Sequence, residues 1–295
     1  MSGDILVAGS AVTDFIFRVG AFPSRPEKFA ATDAEIVGGG CAANAAVAIA
    51  RLGGRARLAA RMARDLVGEM TISQIAAEGV DISGVCWSDT GKSAFSSIYI
   101  DPAGERQIVA FRGAGLAQTL SEDVIGTPSA VLADTRWPAA AEVVLTWARQ
   151  RGVPGVLDGE APVPQALITA ASHVALSAQG LRDMTGTEDL EVGLRDVAGR
   201  TDAWVCVTDG AAGTTYLEGG EVRHEPAATV EVVDTLGAGD VWHGAFTLAL
   251  AEGQPEAAAV AFANAAASLK CTRTGGRAGT PNRTETLYFM QRMDE

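Results

Sequence analysis

The 295-residue sequence predicts an α/β fold, a parallel sheet with helices on both faces plus a small second β-sheet. Three observations predict it. From residue 130 to residue 208, short apolar runs alternate with helical stretches, the rhythm that builds parallel sheets. A hairpin of different texture, 95–111, precedes that rhythm. Near the end, the apolar segment 230–233 runs into Asp234-Thr235-Leu236-Gly237-Ala238-Gly239-Asp240. That is a strand leading into a Gly-rich turn, then a helix starting near Gly239 with a carboxylate in its first turn.

In chain order, Ile5-Leu6-Val7-Ala8 before Gly9 suits a buried strand. Asp14 follows shortly, beyond a strand's carboxyl end, where open α/β sheets bind ligands. Segments 15–17 and 29–37 look extended, split by Pro23 and Pro26. Gly38-Gly39-Gly40 then opens a small-residue helix carrying Asn44 and stopped by Gly53-Gly54. Three glycines there let the backbone approach a ligand closely. Residues 58–61 read as a strand and 65–78 as a helix. Asp101-Pro102-Ala103-Gly104 has type I turn residues between the strands 95–100 and 106–111.

The βα run follows. Strands are expected at 130–134, 155–158, 173–177 and 203–208, with helices at 139–151, 164–171 and on to about 200. A further hairpin spans 215–224 around Gly219-Gly220, and helices begin near Gly239 and Pro255.

Composition bounds the function. Hydrophobic residues make up 47% and charged residues 20%, which excludes a disordered chain. A net charge of −13 argues against nucleic-acid or anionic-membrane partners. Cys41, Cys86, Cys206 and Cys271 form no CxxC pair and read as reduced thiols of a cytoplasmic protein. No signal-type or membrane-spanning segment is evident. P-loop, dinucleotide-binding GxGxxG, HExxH and GxSxG motifs are absent. His173, His224 and His243 are scattered, more in the manner of structural residues than of metal ligands, with His243 near the key turn.

The turn itself suggests a reaction. A helix N-terminus attracts anions through its free N–H groups and its dipole. A carboxylate beside a bound phosphoryl group could accept a hydroxyl proton. The alternative is an ordinary turn with an acidic first-turn residue.

Gly38-Gly39-Gly40 with Asn44, together with Asp234-Thr-Leu-Gly-Ala-Gly-Asp240, resemble the two signatures of the ribokinase-like (PfkB) carbohydrate kinase family. The resemblance covers essentially the whole chain. It implies one kinase domain over 1–295, a three-layer αβα sandwich with a small β-sheet lid from about 12–37 and 92–112. It implies an ATP-dependent transfer to a sugar hydroxyl, with Asp240 as base and the amides of Gly237, Ala238 and Gly239 as anion hole. Asp14, Gly39, Gly40 and Asn44 would bind sugar. Thr208, Gly210 and Gly213 would meet nucleotide phosphates, Asn264 the adenine side, and Gly276 would complete the nucleotide site. Mg²⁺ would neutralise the triphosphate, and Asp234 with the loop 276–279 would surround a monovalent cation such as K⁺. One departure stands out: Ser177-Ala178-Gln179-Gly180 replaces the family's Asn-x-x-Glu, which supports Mg²⁺ indirectly.

Segments 131–137, 156–160 and 268–281 resemble the bacterial 6-deoxy-6-sulfofructose kinase branch. A sulfonate is a permanent anion and calls for fixed cations, for which Lys28, Arg112 and Arg136 are the candidates. Ala110 is apolar where a polar contact to that sugar is expected. Fructose, another ketose or 2-keto-3-deoxygluconate are the alternatives, as is a non-catalytic sugar- or nucleotide-binding relative. The exposed edge of the lid hairpin is expected to pair across a homodimer.

Overall fold

The computed structural model describes residues 3–293. Nine strands form the main sheet. In chain order they and their helices are β1 (Asp4–Gly9), then β2 (Val12–Val19) and β3 (Ala31–Gly39) of the small sheet, α1 (Cys41–Arg51), β4 (Arg55–Ala63), α2 (Leu66–Ala77) and β5 (Cys86–Ser88). The small sheet is completed by β6 (Phe95–Ile100) and β7 (Arg106–Phe111). The alternating run follows as β8 (Ala130–Asp134), α3 (Pro138–Arg151), β9 (Gly155–Gly159), α4 (Gln165–Ala170), β10 (His173–Ser177), α5 (Ala178–Thr185), α6 (Leu190–Ala198) and β11 (Trp204–Thr208). The hairpin β12 (Thr214–Glu218) and β13 (Glu221–Glu225) and the helices α7 (Ala238–Ala251), α8 (Glu256–Cys271) and α9 (Arg283–Met293) end the chain.

The main sheet runs β13-β12-β11-β10-β9-β8-β1-β4-β5. It is parallel from β11 to β5, and the hairpin adds two antiparallel strands at one edge. Two-sided burial explains the unbroken apolar runs. Ile5 and Val7 pack with α1, α2, α7 and α8, while Leu6 and Ala8 pack with α3, α4, α5 and α6. Local signals set the helix ends. Asp65 accepts the Gly68 N–H at 2.8 Å to cap α2, and Ser177 caps α5 through the Gly180 N–H at 3.0 Å.

The small sheet runs β3-β2-β6-β7 and draws its strands from residues 12–39 and 95–111. Aromatic pairs stiffen it: Phe15 meets Phe95 edge-on at 6.0 Å and Phe17 stacks on Tyr99 at 5.8 Å.

One expectation fails. Residues 230–233 form no strand; Val232 and Val233 are exposed. The chain there crosses the end of α8, where the N–H groups of Val233 and Asp234 both donate to the Cys271 carbonyl, at 2.8 and 3.1 Å. No helix among the described residues is long and apolar enough to cross a membrane.

Candidate active site

Small residues create the centre of the site. Helix α1 is largely alanine, and Gly244 of α7 lies against it so closely that an added Cβ would stand 2.6 Å from the Ala45 carbonyl oxygen. This close crossing brings Asn44 to Asp240, with Asn44 Nδ2 donating to Asp240 Oδ2 at 2.6 Å. Asn44 Oδ1 in turn accepts from Arg277 Nε at 2.9 Å, and the Arg277 guanidinium also donates to the Gly39 carbonyl at 3.1 Å. Asn44, expected on the sugar, therefore spends one amide donor on Asp240 and one oxygen lone pair on Arg277.

The three glycines serve protein groups as much as ligand. A side chain at Gly38 would strike the Arg277 guanidinium, one at Gly39 would meet the Asp14 carboxylate, and one at Gly40 the Ser10 carbonyl. Gly40 also has φ +93°, unfavourable for other residues. Asp14 is held by Ser96, the residue beside it across β2 and β6; burial nevertheless raises its pKa above the usual carboxylate value.

Asp240 sits in the first turn of α7. Its pKa is pushed up to about 7, first by burial and then by the nearby Asp158 carboxyl, against the opposing hydrogen bond from Asn44. Asp158 is buried at the end of β9 and is pushed well above the usual range by desolvation and by Asp134 and Glu160. His243, one turn along α7, bonds the Gly239 carbonyl through Nδ1 at 2.8 Å, and its Nε2 lies 3.5 Å from Asp158 Oδ1. Burial lowers the His243 pKa, so the imidazole is neutral at pH 7. Cys41 Sγ and oxygens of Asp158 and Asp240 lie within 4.8 Å of one another. Burial raises the Cys41 pKa well above normal, which keeps the thiol protonated.

The proposed anion hole is partly closed. The Ala238 N–H donates to the Thr235 carbonyl at 3.1 Å, so it is not free. Gly237, Gly239 and Asp240 have amides without a protein acceptor among the described residues. Gly237, with φ +77°, lets the chain turn into the helix here.

Two cavities belong to this site, and the larger is lined by the turn itself. One of about 440 Å³ is lined by Thr208, Gly210, Gly213, Ala238, Gly239 and Asn264, with Val230 and Val232 as apolar wall. It has the size and mixed polarity of a nucleotide site, and the segment expected as a strand contributes Val230 and Val232 to it. The Asn264 side chain is already spent: Oδ1 accepts from Thr214 and Trp242, and Nδ2 donates to the carbonyls of Glu225 and Pro226. It shapes this pocket and has no polar atom left for adenine. Gly276 does not line it; its N–H donates to Asp234. Asp234 accepts from the N–H groups of Leu236, Gly275 and Gly276 and lies beside Lys270, so its carboxylate is occupied too.

The second cavity, about 270 Å³, lies between the main sheet and the small sheet. Gly40, Cys41, Ser96, Ala110, Arg61, Arg112 and Arg136 are among its lining residues. Asp134, beneath it, accepts from the N–H and hydroxyl of Ser10 and the N–H of Ala42, and so fixes the start of α1. Arg136 is ion-paired with Glu160 and bonds the Ala161 carbonyl at 3.0 Å, so its charge is already matched. Arg112 and Arg61 have no carboxylate partner among the described residues. Arg61 was not foreseen: it stands mid-strand on β4 with its guanidinium over the Trp137 ring at 5.7 Å. Lys28 is exposed and does not line this cavity. Arg277, Asp158 and Glu160 are the other site residues that the sequence did not single out.

At the Ser177–Gly180 turn, Ser177 Oγ caps α5 and Gln179 donates to Asp183 at 2.7 Å. That turn offers no carboxylate toward the nucleotide cavity, so it does not fit a protein-held Mg²⁺.

Comparisons with known proteins agree with this geometry. The family model described as "pfkB family carbohydrate kinase" matches residues 2–283. The ribokinase of Haemophilus influenzae is 27% identical, with 99% of each chain covered. The ATP-dependent ribose-1-phosphate kinase of Halopiger xanaduensis is 27% identical over 98% of this chain and 99% of its own. A crystal structure of an Agrobacterium tumefaciens protein provisionally described as a ribokinase superposes with TM-score 0.91 at 37% identity, covering 99% of each chain. The chain belongs to the pfkB family of carbohydrate kinases, and its fold is that of the ATP-dependent sugar kinases in that family.

Proposed function

We propose that this kinase transfers the γ-phosphoryl group of ATP to a hydroxyl of a ketose bearing a permanent anion, 6-deoxy-6-sulfofructose, giving its 1-phosphate. The observation that carries this reading is the pair Arg61 and Arg112, two guanidinium groups that line the smaller cavity with no carboxylate partner among the described residues, Arg61 donating only to the main-chain carbonyls of Ala117 and Arg136. A multi-oxygen anion suits their donor forks. The Halopiger relative, whose name assigns it a phosphorylated sugar, supports an anionic substrate on this scaffold.

The chemistry follows from Asp240. The sugar hydroxyl lies toward Cys41 and Asp240, and ATP enters from the cavity lined by Thr208, Gly210 and Gly213. Asp240 takes the hydroxyl proton as the new O–P bond forms and the β–γ bridge breaks. The free amides of Gly237 and Gly239 stabilise charge on the transferred group. Mg²⁺ would come with the triphosphate and neutralise it. The small sheet acts as a lid that excludes water. Its outer strands β3 and β7 expose Ile36 and Val109 in one register row and Ile108 on the opposite face, and the β7 edge is suited to pairing with a second copy of this chain.

A kinase for ribose or another neutral sugar is the second reading, favoured by the ribokinase relative. ADP release measured with sulfofructose, fructose, fructose 6-phosphate and ribose decides between them. A preference for ribose or fructose would sink the anionic assignment.

A further inference from the structure

Lys270 is completely buried in the last turn of α8. Its ammonium donates to the Asp234 main-chain carbonyl at 2.7 Å and lies 3.4 Å from Asp234 Oδ2. The same carboxylate receives the N–H groups of Leu236 at 2.9 Å and of Gly275 and Gly276 at 3.1 Å each. A monovalent cation needs several oxygen atoms with free lone pairs. Here the carbonyl and carboxylate oxygens of Asp234 already face an ammonium and three amides. A K⁺ ion placed among them would stand against the like charge of a fully buried ammonium, which is unfavourable.

We propose that Lys270 is a tethered cation, standing where a free monovalent ion would otherwise bind, and that the kinase therefore works without one. The proposal rests on the kinase reading of the chain. The tethered charge holds the turn 234–237 that leads into α7. Through Asp234 it also holds Gly275 and Gly276, next to Arg277. Arg277 holds Asn44, and Asn44 holds Asp240. Lys270 is thus a positioning residue for the base and the anion hole. Because the cation is covalently attached, its occupancy does not depend on the salt in solution.

The test compares ADP release by the wild-type enzyme in KCl, NaCl and tetramethylammonium chloride at equal ionic strength. Equal kcat in all three is expected; a several-fold rise on adding K⁺ would overturn the proposal. Lys270→Ala should lower kcat more than it changes the sugar KM, and ammonium or methylammonium should restore kcat saturably. Wild-type kcat in that variant would also overturn it. Two measurements on the wild type need no variant to fold. Crystals soaked in RbCl should show no anomalous peak beside Asp234, and a peak there would refute the tethered-cation role. ATP affinity by calorimetry should be the same in the three salts, and a K⁺-dependent affinity would refute it even without turnover. Absence of turnover with every sugar, alongside salt-independent ATP binding, would count against the kinase reading and leave the cation assignment supported.

Discussion

Asn44 and Asp240 are 196 positions apart in the chain, yet the amide of one donates to the carboxylate of the other at 2.6 Å. This contact opposes two stronger influences, burial and the Asp158 carboxyl, which together hold the Asp240 pKa at about 7. A carboxylate with that pKa is poised near neutral pH, as the proposed role of base requires.

Asp240→Asn keeps the shape of the residue and removes the proton acceptor. We expect kcat to fall by roughly 10²–10⁴-fold, the usual contribution of a general base. The same variant should melt higher at pH 8. A carboxyl whose folded pKa is raised stabilises the protein at low pH, and that stability is lost as pH rises from about 4 toward about 7. Asparagine carries no such penalty. Unaltered turnover would remove Asp240 from the chemistry.

The pH profile of kcat/KM should lose activity as pH falls through about 7, where Asp240 takes up a proton. Asp158→Asn removes a carboxyl that raises the Asp240 pKa, so the acid limb should move to lower pH. Asn44→Ala removes a hydrogen bond that favours the ionised form, so the limb should move up. Limbs shifting together in the same direction would contradict the assigned causes.

Arg61→Ala should reduce kcat/KM for an anionic sugar by roughly 10-fold or more while sparing fructose, since one charge-assisted contact contributes about 1.5–3 kcal/mol. Arg136→Ala should do less to the anion preference, because Glu160 already pairs with Arg136. Steady-state kinetics with both sugars distinguishes the two arginines. An undiminished anion preference in Arg61→Ala would remove it from the subsite.

Gly244→Ala tests the helix crossing that assembles the site. Its methyl group meets the Ala45 carbonyl, so α1 and α7 must move apart. A stability loss of about 1–3 kcal/mol is expected from overpacking, read by urea unfolding. Activity should fall further than stability alone accounts for, because Asn44 moves with α1. A variant with full activity would show that the Asn44–Asp240 contact tolerates displacement.

Much of this was legible in the chain. Strands buried on both faces announce themselves, because Ile5, Leu6 and Val7 are all apolar where a one-sided strand would alternate. The turn 234–240, proposed as catalytic, is legible because glycine, helix start and carboxylate fall within a few residues. What stayed hidden depends on long-range burial. Lys270 looks like an ordinary basic residue near a helix C-terminus, where the dipole favours one; only the tertiary fold reveals that it is enclosed. Arg61 sits inside a strand pattern that gives no sign of which face opens onto a cavity. The valines at 230, 232 and 233 have strand-like composition, yet Val230 and Val232 line the nucleotide cavity. Asn264 could not be judged from sequence because its four partners come from three separate places in the chain.

The two unmatched arginines belong to different bodies of the protein. Arg61 lies on β4 of the main sheet, and Arg112 immediately follows β7 of the small sheet. On the proposed reading, a substrate anion gripped by both would act as a clasp between them, drawing the two sheets together over the reacting hydroxyl, and sugars lacking that charge would enter the cavity without fastening it. Discrimination would then be read in the catalytic step more than in binding, as expected when closure itself selects the substrate.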